Sequence, residues 1–234
     1  MITVYQFSTS PFCAKVRKIL GYKGLHYEIV EVPRDKVAEF KDVSPTGKFP
    51  AIRNDGDVVW DSTDIAYYLD AAFPERAVIP ADAHDRAIVH IIEEWADESL
   101  YFYEVLMRIG WPQNVERVVD EFAATMPNVD RQALPALLVE KGSAIATAQG
   151  IGRKPQEQVV QDAKRHADAL DALLQKQLWL VGEKISLADI AVSVQVEALL
   201  YAREFSDYVK PKGKIAEWLK RVNAAAPDKQ RMAA

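Results

Sequence analysis

Ser10-Pro11-Phe12-Cys13 sets a hydroxyl, a proline, an aromatic ring and a thiol in consecutive positions. A hydroxyl donates a hydrogen bond to an anion, and a thiol becomes a nucleophile once it loses its proton. The tetrapeptide follows an alternating run, Thr3-Val4-Tyr5-Gln6-Phe7, and opens a stretch in which Val16, Ile19 and Leu20 recur at helical spacing. A strand that breaks directly into a helix gathers unpaired N–H groups and the positive end of a helix dipole at one point. Such a point favours an anion, including a thiolate. Pro11 suits the first helical position, where its missing N–H costs nothing. The sequence therefore predicts a thiolate site flanked by Ser10 and Cys13. Ser10 is also a preferred helix cap, and Ser8 and Thr9 are adjacent hydroxyls of the same chemistry.

The elements that must hold this turn fall into two regions. In the first, strand patterns occupy residues 3–7, 27–32, 51–53 and 58–60, with Asn54-Asp55-Gly56 as a hairpin turn between the last two. Helical patterns fit 11–22, 34–41 and 62–72, which makes the order βαβαββα. The run from Phe73 to Pro80 breaks the pattern. Strand signals then vanish, and helices are expected at 83–109, 113–125, 131–149, 155–177, 187–205 and 214–224. The expected layout is an α/β domain over 1–79, a linker at about 74–84 and an all-α domain over 85–234. Ser186-x-x-Asp189 reads as a capping box at the start of one of these helices.

Bulk properties narrow the classes. A chain of 234 residues with net charge −5 and pI about 5.5 has no basic patch for nucleic acid. The most apolar helix, 190–202, is interrupted by Gln195 and Glu197 and is too short to span a bilayer. No basic segment followed by an apolar block opens the sequence, and one cysteine excludes an intrachain disulfide, so a cytoplasmic protein is expected. His90, Glu93 and Glu94 have spacing that can chelate a metal, but no second histidine follows; the helix is expected to present a solvated or subunit-facing acidic stripe, with no metal.

Cys-Pro-aromatic-Cys at this place is the active turn of glutaredoxins, and Ser stands for the first Cys in theta- and zeta-like glutathione transferases. Three further segments match that family in order: Ser44-Pro45-Thr46-Gly47-Lys48-Phe49-Pro50-Ala51-Ile52, then Trp60-Asp61-Ser62-Thr63-Asp64-Ile65-Ala66-Tyr67-Tyr68-Leu69, then Ile185-Ser186-Leu187-Ala188-Asp189-Ile190-Ala191. The chain thus resembles a cytosolic glutathione S-transferase of the Ser/Cys-motif type, theta-, zeta- or omega-like. The resemblance implies a thioredoxin-like N-terminal domain, an all-α C-terminal domain, glutathione as co-substrate with no other cofactor, a homodimer, and a small hydrophobic electrophile as the second substrate. It implies a cis bond before Pro50, with the Phe49 backbone meeting the cysteinyl part of glutathione. Phe12, Lys48, Asp61 and Ser62 complete the implied glutathione set, with Lys48 beside the glycine carboxylate and Arg34 and Lys36 as weaker candidates for that role. Asp61 departs from the family's usual Glu or Gln and is one methylene shorter. Tyr101, Tyr103, Arg108 and Trp111 are implied to wall the electrophile pocket, in a cluster that also holds Phe102 and Met107.

Three functional readings remain at this point. In the first, Ser10 donates to the sulfur of glutathione, whose thiolate attacks an electrophilic carbon. In the second, Cys13 carries glutathione-dependent thiol-disulfide or peroxidase chemistry. In the third, the protein binds glutathione without turnover.

Overall fold

The computed structural model describes residues 1–126 and 128–228. Strand β1 (Ile2–Gln6) pairs in parallel with β2 (Tyr27–Glu31), in the register Val4 opposite Ile29. On its other side β1 runs antiparallel to β3 (Ala51–Asn54), which forms a hairpin with β4 (Asp57–Trp60), so the sheet order is β2-β1-β3-β4. The parallel pair requires a crossover, and α1 (Pro11–Lys23) supplies it. Helix α2 (Ser62–Ala72) packs beside α1. This is the expected thioredoxin-like arrangement with one correction. The helix predicted over 34–41 is a short 3₁₀ turn, Val37–Phe40. Lys36 N–H donates to Pro33 O in a tight turn, and Arg34 is drawn the other way, onto the Phe7 ring. Only Val37 and Phe40 remain to anchor the segment, and both are half-buried against a small core of Cys13, Val32, Val43, Phe49 and Ala51.

All remaining elements are helical. Helix α3 (Ala83–Trp95) continues through a π turn at Ala96–Leu100 into α4 (Tyr101–Val105) and a second π turn at Leu106–Gly110. The segment predicted as one helix over 113–125 divides into α5 (Pro112–Val115) and α6 (Val119–Ala124). Then follow α7 (Leu134–Gln149), α8 (Gln156–Leu174), α9 (Leu187–Leu199), α10 (Arg203–Val209) and α11 (Gly213–Ala225). The helix expected over 187–205 thus ends at Leu199, and its last residues begin α10. The capping box forms as expected, with Ser186 N–H donating to Asp189 Oδ2 at 3.1 Å. Asp189 does more than cap: its Oδ1 accepts from Leu180 N–H and from Trp218 Nε1, both at 2.9 Å, tying the start of α9 to α11. Burial, opposed by those donors, leaves its carboxyl above the usual carboxylate range.

Helix α1 lies between the sheet and α9 and is enclosed on every side. Its apolar face, Val16, Ile19 and Leu20, is fully buried, and so are Lys15, Arg17 and Lys18. A buried cation is tolerated only when paired, and each of these is. Arg17 grips Asp228 through Nε at 3.0 Å and Nη2 at 2.9 Å, and its Nη1 donates to Gln6 Oε1 at 2.5 Å. Lys18 meets Asn223 and lies 3.7 Å from Glu197. Where Pro227 crosses α1, Gly21 leaves it room; a Cβ there would sit 2.0 Å from the Pro227 carbonyl oxygen.

The pair between Arg17 and Asp228 joins two residues far apart in sequence, both at least nine-tenths buried. Asp228→Ala leaves the guanidinium buried without its carboxylate and is expected to lower unfolding free energy by about 3 kcal/mol. A shifted urea midpoint at unchanged slope is the expected signature, and a midpoint equal to wild type would show the pair to be energetically idle.

Candidate active site

The turn after β1, the loop before β3 and the start of α2 converge opposite the Ala96–Gly110 segment and enclose a cavity of about 680 Å³. Ser10 is the N-cap of α1, with extended backbone (φ −84°, ψ 127°), and its Oγ accepts from Cys13 N–H at 3.4 Å. It lines the cavity, as do Phe12, Lys48, Phe49, Pro50, Asp61 and Ser62, so all the residues expected around glutathione come together. The Phe49–Pro50 bond is cis. Phe49 is buried edge-on against Phe7, ring centroids 5.2 Å apart, and lines the cavity.

Asp61 has φ +76°, a region that residues with a Cβ avoid. Its Oδ1 accepts from Thr63 N–H at 2.8 Å and Asp64 N–H at 3.4 Å, so it caps α2 from a strained backbone. Strain of this kind costs on the order of 1–3 kcal/mol and gathers at binding sites. The start of α2, with Ser62 and Thr63, opens onto the cavity.

Directly behind Ser62 stands Lys15. Its ammonium donates to Ser62 Oγ and Thr63 Oγ1, each at 3.2 Å, to Asp97 Oδ2 at 2.6 Å, and to Glu93. Thr63 Oγ1 in turn donates to Glu93 Oε1 at 2.5 Å. The expected solvated acidic stripe is therefore corrected: Glu93 is fully buried, Asp97 is buried apart from its cavity edge, and His90 and Glu94 are exposed. Glu93 Oε1 is taken by Lys15 and Thr63, while its Oε2 has no hydrogen-bond partner among the described residues, and the ligand atoms of His90, Glu93 and Glu94 lie within 4.8 Å of one another. Burial works against the Lys15 charge, but Asp97 and Glu93 more than reverse it and hold its pKa above the ordinary value. Burial raises the Asp97 carboxyl to about 7; Lys15 pulls it down and Glu93 pushes it up.

Cys13, the other catalytic candidate, is buried. It has no exposed surface and sits behind Ser10, its Sγ 3.4 Å from Phe7 N–H. Burial raises its thiol to about 11, despite that hydrogen bond, so it is a thiol at neutral pH. The second half of the cavity also sorts the expected wall residues. Tyr101 and Arg108 line it; Tyr103 and Trp111 do not. Residues two apart on a helix point to different sides, so with Tyr101 against Phe12, centroids 4.9 Å apart, Tyr103 turns to Asp162 and the His166 ring. Trp111 is buried in the main core, as is Met107. Phe102 lines the cavity with Tyr101. Arg34, considered for the glycine end, instead lies over the Phe7 ring, 4.1 Å from its centroid, and donates to Thr9 Oγ1 at 2.9 Å. Lys36 is not among the lining residues. Sequence reasoning missed Lys15, whose only signal was a lysine amid the apolar positions of a helix start, and missed Phe122, Met126 and Lys141, which reach the cavity from α6, the segment just after it and α7 and carry no local motif.

The same architecture is found in known proteins. The profile described as "Glutathione S-transferase, N-terminal domain" matches residues 4–77, and "Glutathione S-transferase, C-terminal domain" matches residues 134–226. Protein LigF of Sphingobium sp. (strain NBRC 103272 / SYK-6) is 30% identical over 95% of this chain and 90% of its own length. The crystal structure of the beta-etherase LigF from Sphingobium sp. strain SYK-6 superposes with a TM-score of 0.70 at 26% identity, covering 99% of this chain and 98% of that one. The isoprene-epoxide–glutathione S-transferase of Rhodococcus sp. (strain AD45) is 24% identical over 95% of this chain and 98% of its own. A thioredoxin-like sheet, a cis proline facing a capped helix start and both profile matches define one class of protein, and this chain belongs to the glutathione S-transferase family. It is an enzyme of that type, with glutathione as a substrate.

The Asp97 carboxyl yields a stability test. Unfolded, it titrates near 4; folded, near 7. Between those values the folded state holds a proton that the unfolded state has released, so this residue's contribution to stability falls as pH rises from 4 to 7 and is constant above. Asp97→Asn removes that slope, which amounts to about 1.4 kcal/mol per pH unit in mid-window. Urea midpoints across pH 4.5–7.5 measure it, and identical pH profiles for wild type and variant would contradict the raised carboxyl.

Proposed function

We propose that Ser10 is the hydroxyl that activates glutathione, donating to its sulfur so that the thiolate attacks an electrophilic carbon. The observation that carries this reading is the division of labour at the start of α1: Ser10 faces the cavity, while Cys13 is buried behind it with a thiol raised to about 11. The energetics suffice. Lowering a thiol pKa by ~2 units takes ~2.7 kcal/mol. A charge-assisted hydrogen bond contributes roughly 1.5–3 kcal/mol and the helix end about 0.3–1 kcal/mol.

The rest of the cavity supports a fixed pose. Glutathione's γ-glutamyl carboxylate takes the start of α2, where Lys15 occupies an acceptor site on Ser62 Oγ and leaves that hydroxyl's hydrogen free to point at the ligand. The α-ammonium meets Asp61 and Asp97, the Phe49 backbone pairs with the cysteinyl unit as one more strand, and Lys48 meets the glycine carboxylate. Phe12 and Tyr101, with Arg108, then border the second substrate, a small hydrophobic electrophile. The enzyme is cytoplasmic in this reading, consistent with helices none of which, among the described residues, is long and apolar enough to cross a membrane.

Ser10→Ala should raise the thiol pKa of bound glutathione by one to two units and lower transfer near neutral pH by roughly 10–100-fold, with glutathione affinity little changed. The thiolate absorbance of the binary complex reads the pKa directly. Equal pKa and equal rates in wild type and variant would pass the role to Ser8, Thr9 or the backbone. Cys13→Ala should keep transfer within a few-fold, because a neutral buried thiol gives the reaction no nucleophile.

The enzyme is further proposed to be a homodimer. Trp60, Tyr67 and Ile91, on β4, α2 and α3, leave 41%, 42% and 67% of their surface exposed, large apolar side chains of the kind a second copy of the chain would cover. Light scattering at micromolar concentration should return twice the chain mass; the single-chain mass would end the claim.

A further inference from the structure

The electrophile half of the cavity is aromatic and apolar, yet two guanidinium groups are built into it. Arg34 Nη2 donates to Thr9 Oγ1 at 2.9 Å, and Arg108 Nη1 donates to the Thr9 carbonyl at 3.4 Å. Both therefore converge on the residue before Ser10. Both also flank one ring: their guanidinium carbons lie 5.4 and 5.8 Å from the centroid of Phe122. A pocket for a purely hydrophobic molecule has no use for two fixed cations, which repel each other and lose hydration.

The nearby carboxylates do not account for both. Glu104 is fully buried and 2.5 Å from Arg108 Nε, so it neutralises that one. Glu31, at the end of β2, accepts from Gln6 Nε2 at 3.0 Å and Ser8 N–H at 2.7 Å, and Asp35, next to Arg34 in sequence, is exposed and accepts from Asn128 Nδ2 at 3.2 Å. Glu98, exposed on the cavity wall near Tyr101, makes no ion pair with either arginine among the described residues, and Lys141, exposed on α7, adds a further positive charge to the lining. Among the described residues Arg34 makes no ion pair; its partners are a hydroxyl and two aromatic faces. Burial lowers its pKa and Arg108 adds to the effect, although Glu31 opposes it, which is the mark of a guanidinium short of a counter-charge.

We propose that the electrophile is an aryl compound bearing a carboxylate, its ring lodged among Phe12, Tyr101 and Phe122 and its carboxylate between Arg34 and Arg108. This rests on the transferase reading and names the substrate class for that site. Planar guanidinium forks suit a carboxylate better than any neutral group, and their anchorage to Thr9 sets the ring beside the sulfur that Ser10 would hold. For an aryl halide, the thiolate's lone pair forms the new S–C bond at the ring carbon, and the electrons of the C–halogen bond leave with the halide. The thiol proton has passed to water beforehand.

The test compares two substrates that differ in charge alone, 4-chloro-3-nitrobenzoate and 4-chloro-3-nitrobenzamide, each rate normalised to its uncatalysed reaction with glutathione at fixed ionic strength. Calorimetry with the two corresponding glutathione conjugates gives a second readout that needs no turnover. In the wild type, the carboxylate should be favoured by about tenfold or more in kcat/KM and in conjugate affinity, the size expected of a charge-assisted contact. Arg34→Gln should reduce that ratio to near unity, and Arg34→Lys should restore part of it. Equal treatment of benzoate and benzamide by the wild type overturns the proposal while leaving the transferase reading intact. Conjugates that bind with the expected preference in a protein that turns over neither substrate would instead sink the transferase reading and keep the anion site. A ratio that survives Arg34→Gln in a folded variant overturns the assignment to Arg34.

Discussion

A single ammonium group, that of Lys15, holds together the parts from which the site is made. Carried by α1 at zero exposure, it donates to the start of α2, to α3 and to the π turn that follows α3. An isolated charge at that depth would cost far more than any one contact returns. The ion is stable only because Glu93 and Asp97 come to it, which means that the sheet-bearing half and the helical half of the protein must dock in one relative position. The same requirement aligns Ser62 and Thr63 at the cavity edge. A stability constraint and a geometric constraint on the site are thus one interaction.

Arg17 and Lys18 extend this logic along α1. Arg17 reaches Asp228 near the end of the described chain, and Lys18 reaches Asn223 on α11. Three cations within about one turn of the helix, Lys15, Arg17 and Lys18, are each clamped by acids or amides from elsewhere, so α1 serves as an internal axis rather than a surface helix. Its start cannot then drift relative to the helical half, and the Ser10 hydroxyl is presented from a rigid base. Rigid support matters here because a hydroxyl that must favour a thiolate over a thiol acts through a single hydrogen bond, whose strength falls steeply with misalignment.

The two π turns in the long α3–α4 segment have a comparable role. Each inserts an extra residue into the helical repeat, along a segment from which Tyr101, Phe102 and Arg108 all reach the cavity. Tyr103 packs instead against His166, and Trp111 enters the core. Polar groups at the site are accordingly supplied by capped helix starts and buried ion pairs, and its apolar wall by an irregular helix.

Much of the site was legible in the sequence because it rests on local signals. Ser10 before Pro11, the turn ahead of Pro50, and Asp61-Ser62 at a helix start are short-range patterns whose backbone consequences follow from steric and capping rules, and the capping box at Ser186 and Asp189 is of the same kind. Alternation and helical spacing likewise determined the strands and the majority of helices. What the sequence left open depended on partners distant in the chain. Whether Cys13 was a nucleophile turned on burial, which raises its thiol to about 11. Whether Glu93 and Asp97 met water turned on a lysine some eighty positions earlier. Whether Tyr103 or Phe102 faced the cavity turned on Asp162 and His166, which take Tyr103 from far along the chain, and Arg34 left its expected helix for an aromatic face. Local rules act through a few bonded neighbours and so can be read along the chain; desolvation, ion pairing and the direction of a side chain are set by what packs against it, and only the tertiary structure decides that.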